Sequence, residues 1–175
     1  NKITAVGIGT TYIKITDSTN KIYGTVKVNV NAEDGVTYPK IVGGYNHFIG
    51  LKSDGTVWTW GYNGNGQLGL GDTTNRTEPE QVKAEITLDD GTTAEEEITD
   101  AIDVAAGYNY TLILRKDGTV WASGFNNKGQ LGDGTTTTTN KFHKVKGPNG
   151  EGYLQNIVQI AAENNTSHAL TADGS

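Results

Sequence analysis

The chain has 175 residues, with 24 glycines, three prolines, no cysteine and a formal net charge of −6 at pH 7. Without cysteine there is no disulfide scaffold, no thiolate metal site and no catalytic thiol, and an acidic balance with no clustered Lys/Arg face argues against a nucleic-acid backbone as partner. No apolar run approaches the ~18 residues of a membrane span, and the N-terminus carries no charged-then-apolar signal pattern ahead of a cleavage site.

In chain order, residues 1–30 read as short strands at 3–6, 12–16 and 24–30, with turn candidates at 7–9 and 17–20. Val26, Val28 and Val30 alternate with Thr25, Lys27 and Asn29, the period of a half-buried strand. Residues 31–35 are polar and turn-forming and mark a boundary. A strand at 40–42 leads into a stretch where His47, Ile49 and Leu51 alternate with Phe48 and Gly50, and Thr56, Trp58 and Trp60 with Val57 and Thr59. Both faces carry apolar groups, which suits a sheet buried between two others. Asp54 and Gly55 sit between the two runs as a hairpin signal, expected to be a type I′ turn.

Residues 81–103 hold eight acids, Glu85, Asp89, Asp90, Glu95, Glu96, Glu97, Asp100 and Asp103, against one base, Lys83. Two forms fit. One is a hairpin from 82 to 88 that turns at Asp89, Asp90 and Gly91 and returns as a strand at 102–106; the other is a helix with a capping box at Thr93 and Glu96. The hairpin is favoured, with an equivalent at 145–158 after the second copy of the repeat.

That repeat is the dominant signal. Residues 43–71, GGYNHFIGLKSDGTVWTWGYNGNGQLGLG, return at 107–134 as GYNYTLILRKDGTVWASGFNNKGQLGDG. Gly44 matches Gly107, Asp54 matches Asp117, Gly55 matches Gly118, Trp58 matches Trp121, Gly61 matches Gly124, Gln67 matches Gln130 and Gly69 matches Gly132, each 63 residues apart. A third, partial copy ends in Asp173 and Gly174, 56 residues after Asp117 and Gly118. Repeats of this size, rich in strand formers and turn glycines, mean a β-propeller or β-solenoid. Trp58 and Trp121 are expected as buried equivalents; Trp60, replaced by Ser123, is freer but is still expected in the core.

The pattern G-x-x-H, an apolar strand, DGTVW, a glycine and GQLG resembles the repeat of the regulator of chromosome condensation over about residues 35–175. The resemblance implies an all-β fold, an incomplete β-propeller with two blades and the start of a third, of a seven-bladed type, with repeats at about 40–80, 102–145 and 157–175 of a 36–175 domain. The sequence departs from the pattern where Tyr110 stands for His47, Thr166 or a displaced His168 in the third copy, and Glu163 for the glycine. The string at 3–30 resembles the C-terminal strands of a bacterial immunoglobulin-like domain, so residues 1–30 are read as terminal strands of such a sandwich, with 31–35 as linker; the alternative is that these strands complete the propeller's own edge. A sandwich of that kind needs about 100 residues. The segment is therefore expected to be part of a longer polypeptide, with an oligomer or filament of copies as the alternative.

Site chemistry is sparse. His47, His143 and His168 have no metal-ligand spacing, and His47 reads as structural. Asp89, Asp90, Glu95 and Glu96 are weak calcium candidates that do not keep an EF-hand order, so a solvated acidic hairpin is preferred. Asp72 and Asp133 read as loop residues rather than a glycosidase pair. The glycines at 61–66 open no helix and precede no Lys-Ser/Thr, so no phosphate loop follows. No catalytic set and no cofactor are expected. The family resemblance implies a rigid disc whose loops contact proteins, including nucleotide-exchange partners in eukaryotes and inhibited enzymes in bacteria. The expectation is a non-catalytic protein-interaction or adhesion module of a larger secreted or cell-surface bacterial protein. Its partner would be a protein or cell-surface ligand, without nucleic acid or a membrane span; the alternative is an accessory part of a secreted hydrolase or an enzyme-inhibiting propeller.

Overall fold

The computed structural model describes residues 9–16, 22–30, 37–87 and 91–175. The expected strand at 3–6, the turn at 17–20, the 31–35 linker and the calcium candidates Asp89 and Asp90 lie outside them. The chain divides into two compact units, Asn1–Val36 and Thr37–Ser175. In the first, β1 (Gly9–Thr16) pairs antiparallel with β2 (Ile22–Val30), from Gly9 opposite Val30 to Ile15 opposite Gly24.

The second unit is all-β, with a single 3-10 turn at Pro148–Gly150 among the described residues. Its first sheet is a meander of β3 (Lys40–Gly43), β4 (His47–Leu51), β5 (Val57–Gly61) and β6 (Arg76–Gln81). The hairpin β7 (Lys83–Thr87) and β8 (Thr93–Glu97) comes next. The second sheet repeats the meander as β9 (Ala101–Ala106), β10 (Tyr110–Arg115), β11 (Val120–Gly124) and β12 (Thr139–Lys144). The hairpin widens this sheet to six strands because β7 runs parallel to β12, Ala84 opposite Phe142. The third sheet is the pair β13 (Ile157–Glu163) and β14 (Thr166–Thr171). His47 faces Gly61 and Leu51 faces Val57 in the first sheet, as Tyr110 faces Gly124 and Leu114 faces Val120 in the second. The 63-residue translation in sequence is thus a translation of strand register.

Two expectations about hairpins are corrected. The acidic segment returns as Thr93–Glu97, not at 102–106; the Lys83 to Glu97 and Ile86 to Ala94 pairs select this register over the weak strand propensity of three glutamates, and 102–106 belongs to β9. The Asp-Gly turns are not type I′. Gly55 N–H donates to Lys52 O at 3.0 Å and Lys52 N–H to Thr56 O at 3.0 Å, while only the glycine, at φ 80°, is left-handed. This is a three-residue loop, a type I turn closed by a left-handed glycine. Residues 115–119 and 171–175 repeat it, with Gly118 at φ 77° and Gly174 at φ 88°.

Side chains lock the same loops. Thr56 donates its N–H and hydroxyl to Asp54 Oδ1 at 3.0 and 2.7 Å, and Trp58 Nε1–H donates to Thr56 Oγ1 at 3.1 Å. Thr119, Asp117 and Trp121 do the same at 2.9, 2.6 and 3.2 Å. Spacing in D-G-T-x-W therefore follows from a relay of indole to hydroxyl to carboxylate. Those hydrogen bonds hold the Asp54 carboxyl below its ordinary range, the Thr56 hydroxyl being the largest cause.

Sheets pack face to face with one polarity. Ile49, Leu51 and Val57 of the first sheet bury against Val104, Ile113 and Trp121 of the second. Leu112, Leu114 and Val120, the second sheet's equivalents, bury against Ile157 and Ile160 of the third. Loop tips join the contact: Ala101 N–H donates to Gly55 O at 3.1 Å and Ile157 N–H to Gly118 O at 3.2 Å. Trp58 and Trp60 are only half-buried, whereas Trp121 is 2% exposed and packs in the core that the first two sheets share, which corrects the expectation that all three are core.

Two outcomes follow. Trp121→Ala should lose about 3 to 5 kcal/mol of unfolding free energy, and Trp58→Ala clearly less, because only the first leaves a closed cavity. Chemical denaturation of both variants checks this, and equal losses would contradict the assignment of faces. Gly174→Ala should cost about 1 kcal/mol for its positive φ. Gly55→Ala should cost more, since a Cβ there would sit 2.3 Å from Thr99 O whereas Gly174 has nothing within 4 Å.

Candidate interaction surfaces

The corners that open β4, β10 and β14 read GYNH, GYNY and ENNT. At the first two, the ring folds back over the glycine: a Cβ on Gly44 would lie 2.2 Å from His47 Cε1, and one on Gly107 would lie 1.9 Å from Tyr110 Cε1. Thr166 occupies the third ring position by register, since Glu163 pairs with Thr166; His168 lies two residues further on. A threonine leaves room, so Glu163 can stand where the other copies need glycine.

Each ring reaches the next sheet. Thr111 donates its hydroxyl proton to Gln67 O at 2.8 Å, so His47 Nε2, 3.0 Å from Thr111 Oγ1, must be the donor to that hydroxyl. Tyr110 donates to Thr166 O at 2.7 Å, and Ser167 donates to Gln130 O at 2.6 Å. Ser123 adds a bond to Gly66 O at 2.8 Å. Sequence reasoning missed Thr111, Ser123 and Ser167; the only signal was a hydroxyl directly after the ring position in the second and third copies.

The GQLG loops accept these bonds because they are internally rigid. Asn63 Oδ1 accepts Leu68 N–H at 3.0 Å, and Asn126 Oδ1 accepts Leu131 N–H at 2.9 Å. Gln67 and Gln130 hold Asn65 N–H and Lys128 N–H at 3.0 and 2.9 Å. Their amides reach across to Asn109 and Asn165 at 3.3 and 3.2 Å. Gly69 lies under Phe142 and Gly132 under Val145, while Gly61 and Gly124 abut the backbone at Asn46 and Asn109. Asp72 and Asp133 close the loops: Asn63 Nδ2–H donates to Asp72 O at 3.0 Å and Asn126 Nδ2–H to Asp133 Oδ1 at 3.1 Å.

Above the corners, Tyr45 and Tyr108 stack with centroids 4.2 Å apart and planes 15° from parallel. Backbone bonds fix them, Tyr45 N–H to Tyr108 O at 3.2 Å and Tyr108 N–H to Asn164 O at 2.8 Å. They are 61% and 41% exposed. An aromatic pair this open, on a rim held by backbone hydrogen bonds, is suited to contact with another molecule.

The acidic hairpin is tied down rather than simply solvated. Lys141 of β12 reaches Glu85 at 2.7 Å and Glu95 at 3.8 Å, and Arg115 reaches Glu96 at 3.5 Å and Asp100 at 2.6 Å. Adjacent residues of a strand point to opposite faces, so Glu95 and Glu96 do not converge. Among the described residues no group of three or more His, Cys, Asp or Glu could hold a metal ion, and no helix is long and apolar enough to cross a membrane.

A profile described as "Regulator of chromosome condensation (RCC1) repeat" matches residues 54–114 and 117–170, and a second of the same description matches 40–67 and 101–130. The X-linked retinitis pigmentosa GTPase regulator of Homo sapiens is 37% identical over 131 residues, 75% of this chain and 12% of that protein. Protein RCC2 homolog of Danio rerio is 38% identical over 91 residues, 52% of this chain and 16% of that protein. In fold, human WBSCR16 superposes with a TM-score of 0.60 at 20% identity, covering 91% of this chain and 37% of that one. Prp20p of Saccharomyces cerevisiae, whose structure was described with its binding to Gsp1p and histones, gives 0.56 at 22% identity, covering 79% and 31%. The chain spans well under half the length of each of these proteins.

Burial of His47 pushes its pKa down to about 4 from 6.5. A lowered histidine pKa means the unfolded chain binds the extra proton between pH 6.5 and 4, so stability is complete above that window and lost as pH falls through it. The loss amounts to about 3 kcal/mol by pH 4. Urea midpoints between pH 7 and 4 should fall for the native chain, and His47→Gln should remove most of that slope.

Proposed function

Because the chain belongs to the regulator of chromosome condensation (RCC1) repeat family, we propose that it is a non-catalytic module that binds a protein partner through the loop rim around Tyr45 and Tyr108. The stacked, exposed tyrosine pair on a hydrogen-bonded rim carries this reading. Tyrosine is a frequent anchor of protein interfaces, and a rim already ordered by backbone bonds loses little entropy on binding. Proteins are also what the names of its relatives point to: one is a GTPase regulator, and Prp20p was described binding Gsp1p and histones.

Within this proposal the module is the stacked-sheet part of a seven-bladed propeller in a secreted or cell-surface bacterial protein. The antiparallel pair β1–β2 supports reading residues 1–30 as terminal strands of an immunoglobulin-like sandwich. An immunoglobulin-like neighbour implies an extracellular setting, which turns the reading away from nucleotide exchange and toward adhesion, and the absence of cysteine fits that setting as it fits a reducing cytosol. The charge of −6 supports a protein or cell-surface ligand over nucleic acid.

A photo-crosslinking amino acid placed singly at Tyr45, Tyr108 and the exposed Thr136 tests this reading in the producing cell. One discrete protein adduct at both tyrosine positions and none at Thr136 is expected, and Tyr45→Ala with Tyr108→Ala should weaken binding to that protein at least about tenfold. Adducts to polysaccharide alone, or equal labelling at Thr136, would overturn it.

A further inference from the structure

The corner tyrosine occurs in two copies and is absent from the third. GYN at 44–46 and 107–109 returns as ENN at 163–165, so Asn164 stands where the other corners carry Tyr45 and Tyr108. Among the described residues theirs is the one contact between two tyrosine rings, with planes 15° from parallel. Hydrogen bonding with the Tyr45 side chain holds the Tyr108 phenol above its ordinary range, so both hydroxyls lie at the same end of the stack. Tyr108 has Tyr45 stacked on its ring and Asn164 bonded to its N–H, yet it is 41% exposed. That exposure belongs to the ring edge, and a further residue laid over the far face of Tyr45 would not close it.

Tyr62 and Tyr153 lack this arrangement. Tyr153 sits under the ammonium groups of Lys146 and Lys144, 4.8 and 5.5 Å from its centroid, and two cations oppose removal of an electron from that ring. Tyr62 folds back over its own loop, its hydroxyl 2.1 Å from where a Cβ on Gly64 would lie, and stacks on no ring among the described residues.

We propose that Tyr45 and Tyr108 form an oxidative modification site, at which a peroxidase and hydrogen peroxide join the two rings through a Cε–Cε bond and so link the first sheet covalently to the second. Each phenol gives up one electron and its proton, and the radical left behind is shared between the oxygen and the Cε carbons beside it. With the hydroxyls at one end of the stack, a Cε of one ring faces a Cε of the other. The two unpaired electrons make the carbon–carbon bond, and the hydrogen on each bonded Cε then passes to the oxygen as a proton and restores the phenol. The two electrons and two protons removed reduce one hydrogen peroxide to two waters. Backbone bonds already hold the two residues side by side, so the rings need only swing from face to face to edge to edge. A ring already in contact outcompetes one on another molecule at micromolar protein. The bond would tie residues 63 apart in a chain that has no cysteine to do so. This inference rests on the stack and not on the partner proposed above.

Treatment of the full chain at low micromolar concentration with a heme peroxidase and hydrogen peroxide tests it. The product should run as a monomer near 18.6 kDa, lighter by two hydrogens, with the blue fluorescence of a biphenol and a protease-resistant link between the peptides holding residues 45 and 108. Tyr45→Phe and Tyr108→Phe keep the stack and lack one phenol, so each should abolish that linked peptide, while Tyr62→Phe and Tyr153→Phe should leave its yield unchanged. Unfolding in urea before oxidation should lower the yield at least about tenfold, since the rings then meet only by chain diffusion. Tyrosines that stay unmodified, coupling only between molecules, a linked peptide that survives either Phe variant at 45 or 108, or an equal yield from unfolded chain would each overturn the proposal.

Discussion

A four-stranded sheet with apolar side chains on both faces can hide them only between two neighbours, and every local feature of the second unit answers to that requirement. Ile113 and Trp121 look one way while Leu112 and Leu114 look the other, so the second sheet is core on both sides. Direction comes from polar groups. Hydroxyls of Thr111, Ser123 and Ser167 point back to carbonyls of the preceding repeat, and the rings of His47 and Tyr110 point forward. A sheet turned over would set hydroxyl against hydroxyl and leave buried carbonyls unpaired, so the stacking has a head and a tail.

Much of this was legible in the sequence because the repeat is a repeat of chemistry. D-G-T-x-W spells out a left-handed glycine and a threonine that bridges carboxylate and indole; the turn type was misjudged because Asp-Gly alone does not say how many residues the loop holds. Burial of Trp121 was legible, while the half-burial of Trp58 was not, since identical residues in identical registers meet different neighbours, and the apolar face of the first sheet covers Trp121. The inter-sheet hydroxyls were hidden for a similar reason. Thr111 and Ser167 share a hydroxyl that Phe48 lacks, and only the carbonyls opposite those two show what it does.

The acidic hairpin shows how a repeat tolerates cargo. Copies one and two are 63 residues apart, copies two and three 56, and between the first pair lies β7–β8. The insertion is held by the Ala84 to Phe142 bridge, by burial of Val82, Ala84 and Ile98 in the core of the first two sheets, and by ion pairs from Lys141 and Arg115. The Lys141 pairs are half-exposed and contribute little to folding, so the hairpin's polar outer face is free to change while its buried residues are not. The tyrosine rim is the opposite case, with its aromatic pair fixed by the same backbone bonds that hold sheet to sheet.

The glycine that opens each complete corner carries a consequence for descent. Gly107 cannot gain a side chain while Tyr110 lies over it, with 1.9 Å between a new Cβ and the ring. A lineage that replaces the ring first opens a hole it can survive; one that replaces the glycine first meets a collision between backbone and aromatic. Glu163 beside Thr166 is a corner with neither glycine nor ring, and by the geometry of the other two corners a ring could be placed at 166 only after 163 had become glycine.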